Sequence, residues 1–309
     1  MQNFYSNGKL LITGEYVVLD GALALAVPTI FGQSLHVETI NAPFLHWESF
    51  DANSKSWFKK SFHLNLNDTS EGDAVSQRII QILQAAKQLN PDFLNSGQGF
   101  KVSTQLTFPK NWGLGTSSTL INNIARWAGV DAYKLLAQTF GGSGYDIACA
   151  QNNLPILYQL KKDKVLVEPI HFSPSFREHI YFVYLNKKQN SRNGIANYNA
   201  NKTNIASAIT EINKITKTLA NCKLLNDFET LLTQHERIIS EIIKQPTVKE
   251  TLFADFKGCI KSLGAWGGDF VLATATENPI EYFNSKGFKT VMGYSEMVLG
   301  QFSNAQVKI

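Results

Sequence analysis

Apolar positions along this chain fall into two patterns, and the change from one to the other marks out its elements. Short apolar runs at 9–13, 16–19, 22–27, 34–40 and 44–50 predict strands. Asp20-Gly21, between the second and third of these, is the favoured dipeptide of a two-residue hairpin turn. The period then lengthens. Val75, Ile79, Ile82, Leu83 and Ala86 recur three to four residues apart, which predicts an amphipathic helix that Asn90-Pro91 ends. A strand over 99–108 leads through a glycine-rich turn into a helix at 117–128. A shorter helix over 131–140 runs to Gly141-Gly142-Ser143-Gly144. Strand-like pieces follow at 156–160, 164–167 and 180–185.

In the second half, Ile205, Ile209, Ile212, Ile215 and Leu219 define one helix. Phe228, Leu231, Leu232, Ile238, Ile239, Ile242 and Ile243 define another. A helix over 248–262 and strands at 270–274 and 290–292 complete the expectation. Strands and helices are mixed without strict alternation, so the expected class is α+β, with domains over residues 1–170 and 171–309.

Composition narrows the function. The 309 residues leave room for two domains, and a chain that is 44% hydrophobic and 17% charged is globular rather than disordered. A net charge of +4 is too mild to call for a polyanion. The basic clusters (Lys59-Lys60, Lys161-Lys162 with Lys164, Lys187-Lys188) are short and have no aromatic platform between them, so no nucleic-acid partner is expected. No run approaches the ~18–20 apolar residues of a membrane span, and the polar start of the chain does not read as a signal peptide. Cys149, Cys222 and Cys259 are scattered and odd in number, as reduced thiols are. A soluble cytoplasmic protein with no membrane partner is expected, with homodimerisation left open.

Three glycine-containing stretches carry the candidate chemistry. Pro109-Lys-Asn-Trp-Gly113-Leu114-Gly115-Thr116-Ser117-Ser118 runs into an apolar-periodic helix. Glycines admit a close anion, and the helix start offers free N–H groups and the positive dipole end. It is neither a Walker A loop nor a full G-x-G-x-x-G, and alone it also reads as a turn with a Ser/Thr cap. Gly8-Lys9-Leu-Leu-Ile-Thr13-Gly14-Glu15 sets a lone lysine at the head of an apolar strand. That is costly unless the ammonium meets an anion, or it snorkels at an edge. Ser262-Leu-Gly264-Ala-Trp-Gly267-Gly268-Asp269 holds more glycine than a simple turn needs, as a loop approaching a ligand would.

In this order the three stretches resemble the signature motifs of the GHMP kinase superfamily, and the first looks most like the mevalonate and phosphomevalonate kinase branch. Tyr16, where mevalonate kinases usually have His, leans toward the phosphomevalonate side. The resemblance implies an N-terminal half like ribosomal protein S5 domain 2 and a ferredoxin-like C-terminal half. It also implies an ATP- and magnesium-dependent kinase of the mevalonate pathway of isoprenoid biosynthesis, acting on a small anionic substrate.

Residue by residue, Pro109, Gly113, Leu114, Gly115, Thr116, Ser117 and Ser118 would hold the ATP phosphates, with Ser117 on the metal. Gly264, Gly267 and Gly268 would close over them. Lys9 matches the motif-one lysine beside the catalytic aspartate. Ser143-Gly144-Tyr145-Asp146 resembles the family's Ser-Gly-x-Asp and makes Asp146 the candidate base, an alternative being a helix cap. Glu15, Ser143, Lys187, Lys188, Ser191 and Arg192 are candidate substrate contacts, although the 187–192 run also reads as a solvated charge cluster. Gln234-His235 resembles the family's Asn-His, with packing the favoured role of His235.

The chain departs from the pattern in two places. The interval from Ser118 to Asp146 is short. The family's metal-binding Glu, eleven residues before the base, is replaced by Leu135, with Gln138 the nearest polar group. Magnesium is then left to Ser117, phosphates and water, or to a carboxylate from elsewhere such as Glu15. Mevalonate-like phosphoryl transfer is the first expectation. Phosphomevalonate kinase, diphosphomevalonate decarboxylase and a catalytically inactive binding module are the alternatives.

Overall fold

The computed structural model describes residues 1–66, 73–95, 97–162 and 164–300. They form two compact units. One contains the described residues of 1–8, 31–110 and 114–151, and the other those of 9–30, 111–113 and 152–300. Two long strands, β1 (Gln2–Thr13) and β2 (Ala24–Ile40), pair with each other and contribute to both units.

In the first unit, β3 (Phe44–Phe50) and β4 (Ser56–His63) are followed by helix α1 (Ala74–Leu89) and by β5 (Gly99–Leu106). Helices α2 (Thr116–Ala128), α3 (Ala132–Thr139) and α4 (Tyr145–Gln151) complete it. The strand order is β4-β3-β5-β2, with β3 parallel to β5 and the other pairs antiparallel. Alternate residues Leu35, Val37, Leu45, Trp47 and Val102 turn inward to meet Ile79, Leu83, Ile121, Ile124 and Leu135 from the helices. The three- to four-residue spacing of α1 becomes its buried face, and Asp73 caps it by accepting from the amides of Val75 and Ser76.

In the second unit, β6 (Ile156–Lys161) pairs antiparallel with 24–26 of β2, and β7 (Lys164–Pro169) pairs with β6. Then come β8 (Ile180–Tyr184) and helices α5 (Ser191–Asn201), α6 (Ala206–Ala220), α7 (Leu225–Ile243) and α8 (Val248–Leu252). β9 (Ile260–Ser262), β10 (Phe270–Thr274), α9 (Ile280–Ser285), β11 (Val291–Gly293) and α10 (Tyr294–Met297) follow. β11-β8-β10-β9 is an antiparallel sheet. α6 and α7 bury Ile212, Ile215, Ile239 and Ile243 with Tyr16, Val17, Tyr198 and Trp266.

The expected α+β class holds, two local expectations do not, and one helix was not expected. Residues 16–20 are no hairpin strand: Val17–Asp20 is a 3-10 turn that buries Tyr16, Val17 and Val18 consecutively, whereas a strand with one solvated face buries every second residue. Its end is tied down by Asp20, whose carboxylate accepts from Tyr198 at 2.5 Å and from Lys202 at 2.9 Å. The helix expected over 248–262 stops at Leu252, and β9, too short to show a period, pairs with β10. Helix α5 was not expected because it has no apolar stripe. Tyr198 is its buried residue, and Asn190 starts it by accepting the Arg192 amide.

Leu135, standing where the resembled family has its metal-binding Glu, is wholly buried in the first unit's core. Leu135→Glu should therefore not create a metal site. It should lower stability by about 3–5 kcal/mol, the range for an uncompensated buried charge, as read from urea unfolding.

Candidate functional site

In the second unit, β1 carries Lys9 to the loop segment Asn111–Gly113, where its Nζ donates to the Gly113 carbonyl at 3.0 Å. The segment is held from its other sides by Tyr184, whose hydroxyl donates to Asn111 O at 3.0 Å, and by Phe270, which meets Trp112 edge-on at 5.5 Å. Gly113 has φ +70°, and a Cβ there would lie 2.3–2.6 Å from the carboxyl atoms of Asp269. Only glycine fits, because the backbone is left-handed and a carboxylate fills the side-chain space.

Asp269 itself has φ +53°, an uncommon conformation for a residue with a side chain. It is fixed by its neighbours: its N–H donates to Lys187 O at 2.7 Å and its O accepts from Leu185 N at 2.8 Å. Its Oδ1 accepts the Gln189 amide at 3.1 Å. Burial raises the Asp269 carboxyl above its ordinary range, against the pull of that amide and of the Lys9 and Lys188 charges.

The 264–268 loop is clamped by the same segment. Gln189 Nε2 donates to Trp266 O at 2.6 Å, the Trp266 amide donates to the Tyr16 hydroxyl oxygen at 3.2 Å, and a Cβ on Gly268 would fall 2.5 Å from Lys187 O. Lys9, Gly113, Gly264, Gly267, Gly268, Lys187 and Lys188 are thus gathered in this unit. Ser191 and Arg192 are exposed in the first turn of α5.

In the first unit the rest of the central motif begins α2. Pro109 is exposed, Leu114 is buried, and Gly115 occupies the cap position with no side-chain cap. The Ser/Thr-cap alternative therefore fails. Ser118 Oγ and Thr119 Oγ1 turn back onto Gly115 O at 2.9 and 3.1 Å. The first-turn amides at Thr116 and Ser117 are left to an outside acceptor, and the Ser117 side chain is exposed beside them.

Ser143 and Asp146 are half-buried. Asp146 lies inside the first turn of α4 rather than capping it, and its Oδ1 accepts the Ile147 amide at 3.1 Å. A buried polar network connects α2 and α4: Gln151 Nε2 donates to Asn122 Oδ1 (2.9 Å) and Asn122 Nδ2 to Ser6 Oγ (2.8 Å). Ser6 Oγ in turn donates to Asn123 Oδ1 (2.7 Å).

Glu15 is placed elsewhere. Its carboxylate has zero exposure and pairs with Lys261 of β9, which also faces Glu236 Oε2 at 3.1 Å. His235, on α7 beside Glu236, accepts the Gly14 amide on Nε2 at 2.8 Å, and that nitrogen lies 3.4 Å from Glu15 Oε2. His235 is packed, as expected, and is also a hydrogen-bond acceptor. Burial and then Lys261 keep its pKa well below the ordinary value, so the ring is neutral. Burial raises Glu15 to about 7 although Lys261 opposes the shift. Burial alone would lower Lys261, but Glu15 and Glu236 together raise it.

Sequence reasoning gave Lys261 and Glu236 no role. The signal was present, since Cys259-Ile-Lys261-Ser-Leu263 holds a lone lysine among apolar residues just as Lys9 does. Among the described residues no group of three or more His, Cys, Asp or Glu could hold a metal ion, and no helix is long and apolar enough to cross a membrane.

Gly113→Ala should cost about 1–2 kcal/mol from the left-handed backbone alone and more from the clash with Asp269. Adding Asp269→Ala should return the clash share, seen as positive coupling in a urea double-mutant cycle. A second expectation concerns Glu15, which faces Lys261 on β9, His235 and Glu236 on α7, and neighbouring Tyr16. The fold holds a proton on Glu15 up to about pH 7, whereas the unfolded chain releases it near 4.5. That contribution to stability is complete below about 4.5 and is lost as pH rises to about 7. Relative to the non-titrating Glu15→Gln, the wild type should lose stability across this window and run parallel above it. Urea midpoints of both proteins across pH check this.

No protein-family model matches the sequence, and no curated protein matches it. Solved structures do match. The Methanococcus jannaschii mevalonate kinase aligns at a TM-score of 0.71 and 16% identity, over 97% of this chain and 98% of its own. A Streptococcus pneumoniae phosphomevalonate kinase in complex with phosphomevalonate and AMPPNP aligns at 0.67 and 15%, over 97% and 98%. A Lactococcus lactis galactokinase complexed with galactose aligns at 0.66 and 13%, over 97% and 95%. Over nearly its whole length, the chain has the fold of the GHMP kinases.

Proposed function

We propose that the protein is an ATP-dependent small-molecule kinase, transferring the γ-phosphoryl group to an oxygen of a small carboxylate-bearing acceptor in the manner of mevalonate kinase. The observation that carries this reading is the bond from Lys9 to the first glycine of the central motif, beside the 264–268 loop. A lysine fixed at a glycine turn suits a transferring phosphoryl group, whose chemistry demands positioning and charge neutralisation more than covalent help. The solved phosphomevalonate kinase complexed with AMPPNP supports a nucleotide as donor.

The α2 start, from Gly115 to Ser118, would receive the phosphates on its free amides. Magnesium fits as an ion carried on the nucleotide. Ser117 offers an exposed hydroxyl at the helix start, and the described residues hold no preformed acidic cage, in keeping with the usual preference of Mg2+ for phosphates and water. When bound, it would neutralise charge on the β- and γ-phosphates. Asp146 would take the acceptor hydroxyl's proton as the oxygen–phosphorus bond forms and ADP leaves. Lys187 and Lys188, exposed beside the third glycine loop, and Arg192, exposed in the first turn of α5, favour an anionic acceptor, and a phosphorylated one, as in phosphomevalonate kinase, is the second reading.

Incubation with ATP and Mg2+ against mevalonate, phosphomevalonate, diphosphomevalonate, homoserine and galactose should give ADP and one phosphorylated product. Release of CO2 would instead select a decarboxylase, and silence across a wider acceptor panel with nucleotide still bound would select a binding module. Asp146→Asn should lower kcat about 10²–10⁴-fold, and Lys9→Met about 10²–10³-fold, with nucleotide affinity largely retained in Asp146→Asn. Unchanged turnover in Asp146→Asn removes it as the base.

A further inference from the structure

The buried cluster around Lys261 joins the two stretches of the second unit that the kinase reading needs held together. β1 presents Lys9, and four residues beyond Lys9 it ends and turns through Gly14 into Glu15. β9 presents Lys261 and Ser262 and continues directly into the 264–268 loop. Helix α7 supplies consecutive residues to both. His235 Nε2 accepts the Gly14 amide at 2.8 Å, and Glu236 Oε1 accepts the Ser262 amide at 3.1 Å and its hydroxyl at 2.7 Å. Lys261 closes the circuit from strand to turn. Its Nζ reaches Glu15 Oε1 and the Ser262 carbonyl, and lies 3.1 Å from Glu236 Oε2.

Stability alone does not account for this arrangement. Replacing a buried ion pair by apolar groups of similar size is often neutral or stabilising, and three elements could have packed on leucines. An ion cluster differs from leucines in being directional. An apolar contact tolerates a sliding strand, whereas a fully buried ammonium held between two glutamate side chains loses most of its compensation if β9 shifts by one residue, which would turn Lys261 to the opposite face.

We propose that Lys261 is a positioning residue: through Glu15 and Glu236 it fixes β1, and Lys9 on it, in register with the 264–268 glycine loop. Its consequence for catalysis rests on the kinase reading above, whereas the register itself does not.

The test uses Glu15→Gln/Lys261→Met, which removes the pair with groups of similar size, next to Lys261→Met, which leaves Glu15 without its ammonium. Hydrogen exchange read by mass spectrometry is compared over 9–14 and 264–268, with thermal melting and steady-state kinetics alongside. The double variant, which still leaves Glu236 Oε2 without its ammonium, should melt above Lys261→Met and exchange at least tenfold faster than wild type in both segments. Its kcat should fall at least tenfold while KM for ATP moves less than threefold. Lys261→Met should exchange faster still and melt lower. A folded double variant with wild-type exchange and kcat overturns the proposal, leaving Lys261 a structural filler.

Should the double variant fail to fold, wild-type exchange in low denaturant decides. The two segments should open as one cooperative unit with a common dependence on denaturant, and independent opening overturns the proposal. If the wild type transfers no phosphoryl group to any acceptor, the kinase reading fails and the exchange results still judge the register.

Discussion

A lysine with no exposure, set between two glutamates, is the constraint on which the second unit is arranged. Three elements distant in sequence meet there: the turn after the first strand, the long helix α7, and the strand that enters the third glycine loop. Removing any one member leaves a buried charge or a buried backbone donor without compensation, so the cluster behaves as a single unit. Its charges also have to be balanced. Burial pushes Glu15 up to about 7 while Lys261 pulls the other way, and burial keeps the His235 ring neutral. Lys9, the 264–268 loop and the Lys187–Lys188 segment are less buried and all reach solvent.

Much of the fold was legible because much of it is amphipathic. Helix α1 agrees with its apolar spacing at both ends, and α2, α6 and α7 follow theirs within a few residues, since a stripe with one buried face writes a 3.6-residue period into the sequence. The misses share a cause. At 16–20 the chain buries three residues in a row, at β9 the strand is three residues long, and α5 buries little beyond Tyr198, so none of them carries a period to read. The Asp20-Gly21 signal was real as a turn but belonged to a 3-10 end, with Gly21 in the left-handed conformation after it.

The site was legible where backbone geometry demands glycine and illegible where side chains meet across the fold. Gly113 and Gly268 announce themselves, because nothing larger fits against Asp269 or Lys187 O. Nothing in the spacing of Glu15, Glu236 and Lys261 says that they touch. Lys9 and Lys261 make the point sharply. Each is a lone lysine in an apolar run, and the same argument about cost applies to both. Lys9 answers with a carbonyl at the rim of a glycine turn and stays partly solvated, whereas Lys261 answers with two carboxylates and is buried completely. Solvent still reaches the first of these lysines and not the second.

Asp269 adds the complementary constraint. A carboxylate pressed against a glycine turn would repel an arriving phosphate, and its positive φ costs energy that a glycine at the same place would not. Both costs are bearable because the residue does two things a glycine cannot. It accepts the Gln189 amide, which pins the 187–189 segment to the third loop, and it offers a counter-charge to Lys9 and Lys188. Lys9 and Lys188 both act on the Asp269 carboxyl, so positive charge gathers around this turn instead of being spread evenly over the surface. A mild net charge of +4 for the whole chain is therefore compatible with a local positive excess at this turn, because within a Debye length of about 8–10 Å nearby side chains outweigh the charge of the chain as a whole.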